Sequence, residues 1–196
     1  MRRLYVSVVA VVVLALSSSG VAHQAAGNGQ SEKKKEDHFT AIASNVSELA
    51  ATGIVPLDIW ISRYTDDGEE EKLMAALEQK GQDGLIEAFR RTPPVGRMRV
   101  PGQLATEFHY ARESMGRDGR RRIILATDRP IGFLEATNRT YTMEYPFTML
   151  ELRVDDSGVG DGQLFLAAKF ARSGNLLLLE NLGRQAVIIS KVRQNR

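Results

Sequence analysis

Glu107, His109 and Glu113 are spaced at even intervals in and just beyond a stretch, Leu104 to Arg112, in which polar and apolar residues alternate. In a β-strand such intervals put side chains on one face, and a histidine flanked by carboxylates there can serve as a base or a metal ligand. The opposite face carries Leu104, Phe108 and Tyr110, so the plainer account is a half-buried strand with a solvated side. A second polar string runs through Asp128-Arg129-Pro130, Glu135, Asn138, Arg139, Glu144 and Glu151, interleaved with Phe133, Tyr141, Tyr145 and Phe147. Aromatic rings beside hydrogen-bonding groups are what a ligand or partner surface uses. Asp128, Arg129, Glu135, Asn138, Arg139 and Tyr145 are therefore candidate contacts, against the alternative of a loop packed on a sheet.

Other chemistry finds little support. The run Asp155-Asp156-Ser157-Gly158-Val159-Gly160-Asp161-Gly162 invites calcium but lacks the closing glutamate and alternate ligands of an EF-hand, so a hairpin connection is expected. Three histidines, His23, His38 and His109, and no cysteine leave no basis for a multi-histidine zinc site. His23 would be the new N-terminus after signal cleavage, but it leads into a polar tail that cannot hold copper rigidly. No phosphate loop, nucleophile elbow or H-E-x-x-H pattern is present. Neither a cofactor nor a metal is expected.

The elements that would position these residues are mostly strands. Pro56 to Tyr64 alternates Leu57, Ile59 and Ile61 with Asp58, Trp60 and Ser62, a strand pattern. Phe39 to Leu49 fits either a helix or a strand by periodicity. Thr65-Asp66-Asp67 ahead of Glu69-Glu70-Glu71 predicts a helix start. Leu73, Met74 and Leu77, then Leu85, Ile86 and Phe89, separated by Gly81 and Gly84, predict a short helical hairpin over about 67–92 that Pro93-Pro94 ends. Strands follow at Leu104–Arg112, Arg120–Thr127, Phe147–Val154, Gln163–Ala171, Leu176–Glu180 and Ala186–Val192, the last ones an antiparallel meander because their connections are too short for crossovers. Alternation places Leu164, Leu166, Ala168 and Phe170 on one face of their strand and Lys169 on the wetter one.

Upstream, Met1-Arg2-Arg3 and the apolar run Leu4 to Leu16 read as a secretory signal peptide over residues 1–22, cleaved after Ala22 behind Gly20 and Ala22. The run is shorter than the roughly 20 residues a membrane span needs, so no stable span is expected after cleavage. Residues 23–37, polar and ending in Glu32-Lys33-Lys34-Lys35-Glu36-Asp37, read as a disordered linker, and 38–196 as one β-rich domain. Of 26 basic and 24 acidic residues, Arg2 and Arg3 would leave with the signal. The balanced remainder lacks the field that carries non-specific nucleic-acid binding.

Ala111-Arg112, Gly119-Arg120-Arg121-Arg122-Ile123-Ile124, Ala126-Thr127-Asp128-Arg129-Pro130 and Tyr145-Pro146-Phe147-Thr148 resemble uncharacterised exported bacterial proteins, over about Phe39 to Val192. The resemblance implies a cell-envelope location and favours a strand over Phe39–Ser47. It implies no activity. The expected fold is α+β, mainly β, an antiparallel sandwich or barrel-like sheet with the helical hairpin inserted. The expected protein is a soluble periplasmic or secreted module that binds a small apolar ligand or another envelope protein. The rival expectation is an envelope enzyme that uses carboxylate and histidine acid-base chemistry.

Overall fold

Burial with a period of two, the signature of a strand with one wet face, organises the domain. The computed structural model describes residues 36–44, 54–129, 145–173, 176–181 and 186–195. Ten strands are present among them: β1 (Asp37–Ser44), β2 (Ile54–Ile61), β3 (Gly96–Arg99), β4 (Thr106–Phe108), β5 (Tyr110–Met115), β6 (Arg121–Thr127), β7 (Phe147–Val154), β8 (Val159–Ser173), β9 (Leu176–Asn181) and β10 (Val187–Asn195). They form one antiparallel sheet in the order β4-β3-β2-β1-β10-β8-β7-β6-β5, with β9 paired to β8 off this path. The sheet curls into a nearly closed barrel. Its interior is filled by apolar side chains, among them Phe39, Ile59, Met98, Phe108, Leu125 and Leu152.

One helix, α1 (Asp67–Arg91), lies between β2 and β3 in the chain. Asp66 caps it: its carboxylate accepts from Glu69 N at 2.8 Å and Glu69 reaches back to the Asp66 amide at 3.2 Å, a reciprocal capping box. Asp67, Glu69 and Glu70 in the first turn and Arg90 and Arg91 in the last suit the helix dipole. The expected hairpin is this helix kinked at Gly81, whose φ of 64° only glycine adopts without penalty. Leu73, Leu77, Leu85 and Phe89 pack on the outside of the barrel against Tyr110, Ala126, Phe147, Met149, Ala168 and Phe170. The sheet is therefore dry on both sides beneath α1, and wet outside elsewhere.

Two strands depart from simple alternation. The expected strand Leu104–Arg112 is two elements: Leu104 is 96% exposed in the preceding turn, and the chain changes partner at His109. Before it, β4 pairs with β3; after it, β5 pairs with β6. Phe108, His109, Tyr110 and Ala111 are consequently all buried, since the chain has neighbours on every side where it turns from one half of the barrel to the other. Thr65 seals the corner, its amide donating to Ala111 O (2.7 Å) and its hydroxyl accepting from Ala111 N (3.0 Å).

The second departure is in β8. The predicted single face Leu164, Leu166, Ala168, Phe170 is split by an irregularity, where Phe147 pairs with Ala168 but Met149 with Phe165. Leu164 and Leu166 belong to the interior cluster, whereas Ala168 and Phe170 lie with α1 outside. An extra residue in one strand reverses its facing, as bulges do. The meander is also incomplete, because β10 pairs with β8 and β1 instead of β9. Beyond the point where β7 begins, Gln82 of α1 meets β8 with its side-chain amide, donating to Phe170 O (2.6 Å) and accepting from Phe170 N (3.2 Å).

Candidate functional site

The three residues of the acid-base hypothesis go to three different places. Glu107 is exposed on β4, opposite Arg97. His109 is buried, with Nδ1 2.7 Å from the Thr92 carbonyl at the end of α1. A carbonyl only accepts, so Nδ1 carries the proton and His109 ties the helix end to the barrel. Glu113 is held by both arms of Arg121, at 3.0 Å each. The face they were expected to share does not exist, because the partner switch at His109 breaks the alternation.

Of the expected contact residues, Asp128 is buried and accepts from Arg90 Nε at 2.9 Å, Arg129 is exposed, and Tyr145 is half-buried with Lys169 Nζ 4.9 Å from its ring centre. Glu135, Asn138 and Arg139 lie outside the described residues, as do residues 1–35 with the expected signal peptide and most of the expected linker. Two residues expected in the linker belong to the domain: Asp37 is the first residue of β1, and Glu36 pairs with Arg97 at 3.1 Å. The acidic-glycine run is the β7–β8 turn, in which Asp155 Oδ1 accepts from Ser157 N (2.9 Å), Ser157 Oγ (2.5 Å) and Val159 N (3.1 Å).

Asp37 has work at one end of the barrel. It accepts from Tyr64 Oη (2.8 Å) and Gln194 Nε2 (2.9 Å), while Arg121 donates to Gln194 Oε1 (3.1 Å) and grips Glu113. The network joins β1, the β2–α1 connection, β5, β6 and β10. Burial, and then the hydrogen bond and charge of Asp37, push the Tyr64 phenol far above its usual range, so it stays a donor and has no use as a base.

On the outer face under no helix, the β1–β2–β3 register sets His38, Trp60 and Arg97 side by side. The His38 ring stacks on Trp60 at 4.8 Å and 5° between planes. The Arg97 and Arg99 guanidiniums lie 4.7 and 5.4 Å from the indole centre, within cation–π range. With Asn195 Nδ2 donating to His38 Nδ1 (3.2 Å), the ring proton sits on Nε2, 3.3 Å from Asp58 Oδ1. Arg99 Nη2 approaches Asp58 Oδ2 at 3.7 Å. Both arginines keep about half of their side chains exposed, at 47% and 54%. Along the same face, towards the other end of β1 and β2, lie Ile42, Pro56, Ile54 and Ile188, the last two 54% and 49% exposed.

No known protein family, curated protein or solved structure matches the chain. Its own geometry thus carries the functional assignment. Among the described residues, no helix is long and apolar enough to cross a membrane. The sequence held one unused signal for the Trp60 face: a tryptophan in the polar register of a strand whose other register is all valine, leucine and isoleucine. The arginines that flank it come from β3, a four-residue strand too short to show a period.

Glu151 is an outer-face carboxylate of a different kind, buried on β7 and held by Arg122 Nε (2.9 Å) and Arg153 Nε (2.8 Å). Burial alone would raise its pKa; the hydrogen bonds from Arg122 and Arg153 outweigh that and lower it. A carboxylate depressed on folding adds stability above its unfolded pKa, and that stability is lost as pH falls through the folded value. We expect Glu151→Gln to be destabilising at neutral pH and the gap to wild type to close below about pH 4, the ordinary glutamate range. Urea midpoints from pH 7 to pH 3 check this. A gap that widens with acid would mean the arginines do not dominate.

Proposed function

We propose that the chain is an exported protein-interaction module of the bacterial cell envelope that docks through the helix-free face of β1, β2, β3 and β10. The observation that carries this is Trp60, lodged between His38 on one side and Arg97 and Arg99 on the other, on a sheet face with no helix over it among the described residues. Tryptophan and arginine are the residues most enriched at the energetic centres of protein interfaces. Here the tryptophan is held rigid and both arginines are prepaid in orientation, so binding would order few groups anew.

The interior is filled by buried side chains from β1 to β10, which favours a partner outside the barrel over an apolar ligand within it. The separate placement of Glu107, His109 and Glu113 weighs against an acid-base site built from those three; Glu135 and Glu144, the other carboxylates of the enzyme alternative, lie outside the described residues. Export is supported by the signal-like residues 1–22 and by the resemblance to exported bacterial proteins.

A photo-crosslinking amino acid placed at position 99 tests the face in living cells, with the same group at position 78 on the exposed side of α1 as control. Defined adducts are expected from position 99 alone, and Trp60→Ala should abolish them. No adduct from position 99, or equal adducts from both sites, would remove the reading.

A further inference from the structure

We infer that the partner on the helix-free face is a second copy of this chain, related by a twofold axis; this rests on the docking reading above. Charge chooses among occupants. The face presents three guanidiniums, Arg97, Arg99 and Arg193, and three carboxylates, Glu36, Asp58 and Glu107, set out in adjoining rows by the register Asn195–His38–Trp60–Arg97–Glu107 and Arg193–Thr40–Asp58–Arg99. Lys191, exposed at the β10 irregularity, adds one cation at the rim. So nearly balanced a face casts no strong field towards an acidic or a basic partner. It does suit itself. An isologous interface needs one patch that carries both members of each complementary pair, and here arginines and carboxylates stand a strand or two apart.

The apolar part points the same way. Ile42, Ile54, Pro56 and Ile188 lie together on the face and belong to neither hydrophobic cluster of the domain. Size is adequate. Three strands of eight or nine residues and the four residues of β3, at about 4.8 Å between strands and roughly 3.3 Å per residue, give a footprint of about 450 Å2 in plan, and side-chain relief raises the accessible area towards the about 800 Å2 per partner of a standard interface.

Sedimentation of the full exported chain over about 1 to 100 μM, the range in which modest interfaces dissociate, tests this directly. A reversible dimer is expected, weakened at least about tenfold by Trp60→Ala, the loss of a central anchor, and equally by Ile188→Asp. The latter changes an exposed side chain and leaves the fold, read by its urea midpoint, intact. Trp60 is the only tryptophan in the chain, so its emission should shift with the same concentration dependence. A monomer throughout this range overturns the inference. So does a dimer that both variants leave unchanged, because it would use another face. Crosslinks from position 99 separate the two failures: adducts of a mass other than twice the chain's would sink the second copy and keep the docking face, and their absence would sink both.

Discussion

Alanine at Gly160 is expected to destabilise the domain by about 3 kcal/mol or more, the upper end for overpacking, a large share of a total stability of about 5–15 kcal/mol. Gly160 pairs with Val154 of β7 on one side and Val192 of β10 on the other. A Cβ there would fall far inside contact distance of the Arg153 carbonyl oxygen, with the Arg153 carbonyl carbon and the Val154 Cα close behind. All three are backbone atoms, so no side chain can rotate away; β7 or β8 must move, and the filled interior resists that. Gly102 is the control. Its φ of 80° also disfavours alanine, but nothing lies within 4 Å of a Cβ there, so Gly102→Ala should lose only about 1 kcal/mol. Urea melts of both variants decide it, and a Gly160→Ala midpoint as high as that of Gly102→Ala would mean that β7 and β8 lie further apart than described.

Phe147→Ala should cost about 3–5 kcal/mol, as large aromatic truncations in cores do. Phe147 is fully buried, yet it faces outward: its ring centre lies 5.1 Å from that of Phe89 on α1 and 5.1 Å from that of Phe170 on β8. Those three rings are the main apolar bond between the second arm of α1 and the barrel. Loss of the middle one should therefore loosen the helix before the sheet. Hydrogen exchange should rise most in residues 82–91 and least in β1 and β2, whose apolar faces pack in the interior. Faster exchange in β2 with α1 unchanged would show that Phe147 serves the interior after all.

A strand with one wet face was open to inspection in the sequence, since Leu57, Ile59 and Ile61 in β2 are buried as their spacing predicts, and β7, buried on both faces, still occupies the expected Phe147–Val154. The helix start was equally legible, because Asp66 and Glu69 are the two halves of one capping motif. What periodicity cannot register is a change of partner. Residues 104–112 alternate in the sequence whether one strand runs through them or two meet at His109, and the polar face drawn through Glu107, His109 and Glu113 followed from that ambiguity. The β8 irregularity hid in the same way, since Leu164 to Phe170 reads as one even face until an added residue inverts it. The Trp60 face was half visible. Its tryptophan stood in the polar register, but its arginines and His38 come from strands that only the folded register brings alongside.

The pairing of β1 with β10, His38 opposite Asn195 and Ser44 opposite Ile188, governs when the barrel can form. The first strand of the domain takes one of its two neighbours from the last nine described residues, about 150 positions away along the chain, a separation that makes loop closure slow. A chain emerging from the ribosome can pair β5 with β6 and β6 with β7 locally, but β1 keeps a bare edge until β10, about 150 residues later, has been made. Under the export proposed above, that delay would keep the chain threadable. The unfolded form that a translocation channel accepts would be maintained by topology, with closure reserved for the far side of the membrane.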